Sequence, residues 1–242
     1  MAKLDKAFEA IDKVKANAEQ NLTNAKELFE KELSKVYNDC KEWSITTFDK
    51  AKVYIQRGRS PKYAEHSVLP VINQKCIRWD NLQKEHLKYV DASQFDKWET
   101  IRYVNKGDIL WNSTGTGTIG RAYLVNGTEC EQAVVDSHVT IVRLNQEIIN
   151  PKFAFYYIMS PIIQSKIDSL YTGSTNQVEL STSTIKDLNI QYPTLLEQQK
   201  IVEKLDALQE QTKQLEAIYT QKIKECDELK QSILQKAFRG EL

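Results

Sequence analysis

Two short loops hold most of the side chains able to do chemistry at close range. Asn112-Ser-Thr-Gly-Thr-Gly-Thr118 and Tyr171-Thr-Gly-Ser-Thr-Asn-Gln177 are polar and spaced by glycine. Asn, Gln, Ser, Thr and Arg are the groups that hydrogen-bond base edges in the major groove, and glycine lets backbone approach closely. Asn112, Thr114, Thr116, Arg121, Asn176 and Gln177 are therefore candidates for a reading face. Upstream, Lys50, Lys52, Arg57, Arg59 and Lys62 fall within thirteen residues that contain no acid. Lys52, Arg57, Arg59 and Lys62 are candidates for phosphate contacts.

Other constellations resemble enzymes but lack the required context. Gly115-Thr-Gly117-Thr-Ile-Gly120 matches G-x-G-x-x-G. A dinucleotide site needs that loop to open a helix, whose N-terminus holds the pyrophosphate. Here it leads into Arg121-Ala-Tyr-Leu-Val125, which reads as a strand, so a β-hairpin connection is expected and no cofactor is assigned to the chain. Asp136-Ser137-His138 places three triad-type residues side by side, whereas triads are assembled across a fold. These residues, with His66 and His86, read as structural or surface groups. Cys40, Cys76, Cys130 and Cys226 stand far apart without a C-x-x-C pair, so reduced thiols are expected rather than zinc or disulfides. No catalytic or metal site is assigned.

Two long helical segments must position the loops. In the first, from about Ala2 to Tyr37, Leu4, Phe8, Ile11, Lys15, Ala18, Leu22, Ala25 and Phe29 recur by four and three, a heptad seam with one polar intrusion. The second begins after Pro193, with Thr194 and Glu197 as a capping box. Its seam reads Ile201, Leu205, Leu208, Thr212, Leu215, Tyr219, Lys222, Cys226, Leu229 and Ile233, and Gly240 marks the stop. Helices this long and this polar elsewhere must hide their seams against another helix. Leu4, Phe8, Ile11, Leu22, Leu205, Leu208, Leu215, Leu229 and Ile233 are the expected dimerisation residues.

Between the helices, short β-branched or aromatic runs at Lys52–Ile55, Val68–Ile72, Asp108–Trp111, Arg121–Val125 and Val139–Val142 are separated by turn residues. Asn150-Pro151 opens a helix expected to run from Lys152 to about Ser169. The fold class is α+β: one mixed, β-rich domain at 43–193, flanked by coiled-coil-forming helices at 1–42 and 194–242.

The chain has 242 residues, 41% apolar and 27% charged, with net charge zero. No apolar run approaches the roughly 18 residues of a membrane span, and the start lacks the apolar core of a signal peptide. A cytoplasmic location is expected. Neutrality argues mildly against binding nucleic acid, but charge is uneven: residues 43–193 carry 17 bases and 15 acids, against 8 and 9 in each flanking segment.

Two segments give this arrangement a family likeness. Gly107-Asp-Ile-Leu-Trp-Asn-Ser-Thr-Gly-Thr-Gly-Thr-Ile-Gly-Arg-Ala122 resembles the hairpin of Type I restriction-modification specificity subunits, where a G-D-[IV]-L strand leads to a glycine-rich turn. Ile190-Gln-Tyr-Pro-Thr-Leu-Leu-Glu-Gln-Gln-Lys-Ile-Val-Glu-Lys-Leu205 is similar to that family's P-x-x-P-L-x-E-Q-x-x-I-V lead into a conserved helix. Lys3–Asp12 and Leu229–Leu242 are similar to the family's helical regions. The resemblance implies a binding subunit rather than an enzyme, specific for double-stranded DNA. Its implied partners are methyltransferase subunits, which use S-adenosylmethionine, and a restriction subunit. The family normally carries two target-recognition domains and this chain one, so a homodimer reading a bipartite palindrome is expected. The rival reading is a coiled-coil scaffold whose middle domain binds protein.

Overall fold

The computed structural model describes residues 2–39, 42–127, 132–173 and 178–241. The chain divides into two compact units, Met1–Glu32 with Glu203–Leu242, and Leu33–Val202. Two helices, α1 (Ala2–Asn38) and α7 (Leu195–Phe238), make up most of the first unit, and Leu33–Asn38 and Leu195–Val202 of the same helices belong to the second. Among the described residues no helix is long and apolar enough to cross a membrane.

The first unit is an antiparallel helix pair within one chain. Lys15 bonds Asp227 at 2.6 Å, Lys230 bonds Asp12 at 2.6 Å, and Lys204 bonds Glu32. The expected α1 seam is the observed one. Ala18 and Ala25 are buried, and Leu4, Phe8, Ile11, Lys15, Leu22 and Phe29 are half-buried. Lys15 is tolerated there because its ammonium reaches Asp227 at the seam's edge.

On α7 the seam differs from expectation at alternate positions. Leu205, Thr212 and Cys226 are buried, and Leu208, Tyr219 and Ile233 half-buried. Glu216, Ile223 and Lys230 hold the places expected for Leu215, Lys222 and Leu229; Leu215 is 36% and Leu229 51% exposed. The spacings 212–215–219 and 212–216–219 both average 3.5 residues, so periodicity does not separate them. Contacts across the pair do: Lys230 reaches Asp12 while lying over the Phe8 ring, at 5.6 Å. Of the residues expected at a dimer interface, Leu4, Phe8, Ile11, Leu22, Leu205, Leu208 and Ile233 lie on seam positions of the chain's own two helices. Leu215 and Leu229 face outward.

Both ends of α7 follow their local signals. The Thr194 hydroxyl donates to Glu197 Oε2 at 2.8 Å, and Glu197 N donates back to Thr194 Oγ1 at 3.4 Å. Gly240 ends the helix at φ +72°, with Glu241 N donating to Lys236 O at 2.9 Å.

The second unit contains β1 (Ser44–Thr47), α2 (Phe48–Ala51), β2 (Lys52–Arg57), β3 (Tyr63–Ala64), β4 (Pro70–Ile72), β5 (Lys88–Val90), β6 (Ile109–Asn112), β7 (Ala122–Leu124), β8 (Val134–Val135) and β9 (Val139–Leu144). They are followed by α3 (Pro151–Met159), α4 (Pro161–Gln164), α5 (Ile167–Leu170), α6 (Thr182–Asp187) and β10 (Asn189–Tyr192). An antiparallel sheet has the order β2-β9-β6-β7; a smaller mixed sheet runs β3-β5-β4-β8, and β1 pairs β10. The core includes Ile72 and Ile77 from the β4 segment and Leu110, Val139 and Ile141 from the larger sheet. A second cluster gathers Leu69, Val71, Val90, Trp98 and Val134.

Two boundaries differ from the sequence reading. The helix expected over 152–169 is three pieces: the first break falls where Ser160 precedes Pro161 and is held extended at ψ 153°, and the second at Ser165 and Lys166. The run at Val68 starts as a strand only at Pro70, and Val68 is 79% exposed.

A buried ion pair ties the start of β6 to β9. Arg143 Nε bonds Asp108 Oδ1 at 2.7 Å and Nη2 bonds Oδ2 at 2.8 Å. The same guanidinium donates to Tyr103 O at 2.8 Å and Ile101 O at 3.2 Å, and Asn105 N donates to Asp108 Oδ2 at 2.8 Å.

Candidate nucleic-acid interface

The register of the larger sheet places several loops at one end. β9 is antiparallel to both β2 and β6, so the end of β2 (Arg57), the start of β9 and the end of β6 lie together. The loop carrying the three glycines joins β6 to antiparallel β7, with Ile109 opposite Leu124 and Trp111 opposite Ala122. It is a hairpin connection, as the sequence reading expected. Thr172, at the described start of the second polar loop, comes to the same place. Thr114 and Thr172 each bridge Glu179, and Leu180 N donates to Ser113 O at 2.8 Å. Asn176 and Gln177, expected on the reading face, lie outside the described residues.

The remaining expected site residues separate into three groups. Thr114 is half-buried, Thr116 exposed, and Arg121 half-buried at the base of the hairpin loop. Arg121 donates to Gly117 O at 3.2 Å and Ile77 O at 3.5 Å. Burial, and then the neighbouring Arg78, pull its pKa below the usual guanidinium range. Arg57, Arg59 and Lys62 occupy the same side of the domain but already have partners. Arg57 bonds Glu179 at 2.5 Å, Arg59 donates to Lys97 O at 3.3 Å, and Lys62 lies 3.2 Å from Asp91. Hydrogen bonds from Ser93, and then Lys62, hold Asp91 down to about 2.

Two expectations need correcting. Asn112 is fully buried, and its Nδ2 donates to Gln74 O at 3.1 Å. Its side chain fixes a neighbouring loop instead of facing a ligand. Lys52 begins β2, opposite Leu144, and pairs with Asp49. It therefore sits at the far end of the sheet from Arg57.

The structure adds groups that sequence periodicity had not marked. The segment after β4 brings Gln74, Lys75 and Arg78 to the hairpin loop. Gly115 sits against Gln74, an added Cβ lying 2.7 Å from Gln74 Oε1, and its φ of +89° is what favours glycine there. A cavity of about 500 Å³ opens alongside, lined by Ser60, Tyr63, Lys75, Lys88, Asp136 and His138 among others. Lys88 lies over the Tyr63 ring at 4.3 Å.

Asp136 is 2% exposed, and its Oδ1 accepts from His138 N at 2.8 Å. Burial pushes its carboxyl above the ordinary 3.8, opposed by the His138 backbone bond and by the charges of His138, Lys88 and Arg57. An acid whose pKa is raised by folding loses stability as pH climbs past its unfolded value, because ionisation then favours the unfolded chain. The expected result is that Asp136→Asn raises the melting temperature at neutral pH and changes it little below pH 3.8. Each unit of the raised pKa corresponds to about 1.4 kcal/mol. Equal destabilisation at both pH values would refute this account.

Comparison with known proteins follows the same outline. The family model described as Type I restriction modification DNA specificity domain matches residues 55–225. The specificity subunit of the Type I restriction enzyme EcoBI of Escherichia coli is 33% identical over 162 residues, covering 65% of this chain and 32% of that protein. The EcoKI specificity subunit of Escherichia coli strain K12 is 22% identical over 199 residues, covering 81% and 42%. The chain thus matches less than half the length of either relative. A structure from work on complex assembly and conformational transition of the type I R-M system superposes over 100% of this chain and 58% of that one, with TM-score 0.79 and 20% identity. The HsdS subunit from Thermoanaerobacter tengcongensis does so over 100% and 57%, at TM-score 0.65 and 19% identity. At such identities the superpositions establish the fold alone.

Proposed function

The chain belongs to the Type I restriction modification DNA specificity domain family, and from that premise we propose that it recognises a specific sequence in double-stranded DNA, without catalytic activity of its own. The observation that carries this reading is the convergence of Thr114, Thr116, Arg121, Gln74, Lys75 and Arg78 at one end of the sheet. Hydrogen-bonding side chains there lie beside cations, the combination that base edges and phosphates require. The like charge of Arg78 adds to burial in lowering the Arg121 pKa, and a phosphate offsets that charge.

In this reading the chain acts within a methylation and restriction complex in the cytoplasm. Modification subunits supply the adenine-methylating centre and bind S-adenosylmethionine, and a restriction subunit joins for cleavage. This chain binds neither cofactor nor metal. Two copies related by a two-fold axis read the halves of a split palindrome. With the seam residues engaged within each chain, outward apolar residues such as Val14, Leu28, Leu215, Ile218, Leu229 and Phe238 are available for pairing between copies.

The test is capture of random duplex DNA by the chain with its modification subunit, followed by sequencing. The expected result is enrichment of a split, palindromic motif. An unsplit motif would retain the reader and remove the two-fold assembly. A stable protein complex that enriches nothing would overturn DNA recognition in favour of a protein-binding scaffold.

A further inference from the structure

The Asp136-Ser137-His138 run, set aside as structural, forms part of a chain of polar contacts at the mouth of the cavity. His138 Nδ1 lies 2.6 Å from Thr114 Oγ1, and that hydroxyl lies 3.5 Å from Gln74 Oε1. Three segments remote in sequence thus place one Gln and one His within two polar contacts of each other. His138 is exposed and Gln74 half-buried. Neither His138 Nε2 nor Gln74 Nε2 has a hydrogen-bond partner among the described residues.

The backbone beneath them is pinned by buried polar groups. Asn112 Nδ2 holds the carbonyl of Gln74 itself. Asn73, 5% exposed, donates to His86 O at 2.6 Å and accepts from Lys75 N at 2.9 Å. Asp136 accepts from His138 N, and Ser113 N donates to His138 O at 2.9 Å. Buried polar side chains that satisfy one neighbouring loop each, beneath two side chains with unused hydrogen-bonding nitrogens, are a preorganised first shell lacking its ligand. Lys75 and Lys88 on the cavity wall supply charge for the flanking phosphates.

We propose that Gln74 and His138 read neighbouring base pairs in the major groove, with Gln74 bidentate to the N6 and N7 edge of an adenine. This rests on the DNA-recognition reading above and names the residues that set its preference. A carboxamide matches adenine because it offers one donor and one acceptor side by side. The Thr114 hydroxyl fixes the imidazole orientation. When it donates to Gln74, the ring presents Nε2 as an acceptor; when it donates to the ring, Nε2–H is a donor.

The experiment is the random-duplex selection repeated with Gln74→Ala, Gln74→Glu, His138→Ala and Lys75→Ala, each with the modification subunit. Gln74→Ala and His138→Ala are each expected to blur one base pair of the motif, lowering discrimination there about five- to 150-fold. The dependence of binding on salt stays as in wild type. Gln74→Glu is expected to exchange the A·T preference for C·G, since a carboxylate accepts from cytosine N4. A merely structural role creates no new preference. Lys75→Ala is expected to keep the motif and reduce the log–log salt slope by about one. If wild type enriches a motif and the Gln74 and His138 variants keep it unchanged, the assignment is overturned while DNA recognition stands. If wild type enriches none, both fall together.

Discussion

Replacing Asp108 by alanine is expected to destabilise the 33–202 unit by about 3–5 kcal/mol, the cost of leaving one buried charge without its partner. The Asp108 side chain is 1% exposed and that of Arg143 14%, so water does not take over the lost bonds. The carbonyls of Ile101 and Tyr103 remain for the guanidinium but do not balance its charge, and the Asn105 N–H loses its own acceptor. Urea unfolding of wild type and variant measures the loss. Removing both charges, as Asp108→Leu with Arg143→Met, is expected to cost less than Asp108→Ala alone, because no uncompensated ion remains. A single-variant cost below about 1 kcal/mol would mean that the pair is solvated in solution. The G-D-I-L run in the sequence thus has a physical reading: its acid belongs to the frame.

Gly58→Ala is expected to cost about 3 kcal/mol or more, at the upper end for overpacking. An added Cβ would lie 2.0 Å from Val135 O, 2.3 Å from Asp136 O and 2.5 Å from Val135 C. All three are backbone atoms, so no rotamer change gives relief. Gly58 N donates to Val139 O and Arg59 N to Val135 O, which holds β2 against the turn leading to β9. Thermal unfolding tests this directly. A melting temperature within a degree or two of wild type would show that the turn shifts freely. Because the displaced carbonyls are those of Val135 and Asp136, next to His138, the folded fraction is also expected to select DNA less sharply than wild type.

Gly58 also illustrates where reading the sequence stops. Arg57-Gly58 is one of the turn pairs that separate the strand runs in the sequence, but Gly58 is not among the glycines of positive φ. Its necessity comes from the close approach of the Val135–Asp136 backbone, which no local pattern encodes. The large elements were legible because their signals are local: the α1 heptads, the Thr194–Glu197 box, and the hairpin around the three glycines. Asn112 was legible as a polar residue near a loop, but not as buried, since its partner Gln74 lies 38 residues away in sequence. Lys52 and Arg57 looked like one basic patch. Five residues of extended strand separate them by about 17 Å, which puts one at each end of β2. Gln74, Lys75 and Arg78 escaped notice because the stretch between β4 and β5 has no repeating pattern. Its shape is set by side-chain bonds such as those of Asn73.

The anchoring bonds around Gln74 and His138 have a bearing on how such a domain changes over generations. The groups that hold the backbone are buried and address main-chain atoms: Asn112 to Gln74 O, Asn73 to His86 O, Asp136 to His138 N. None of these bonds depends on which side chain stands at 74 or 138. A single codon change at either position leaves the frame intact and exchanges only the outward group. At an exposed position such as His138 a substitution of that kind usually alters stability by less than about 0.5 kcal/mol. Variation in target preference is then nearly free of selection against misfolding, and a lineage under pressure to change its recognition sequence can drift through these two sites before touching any other.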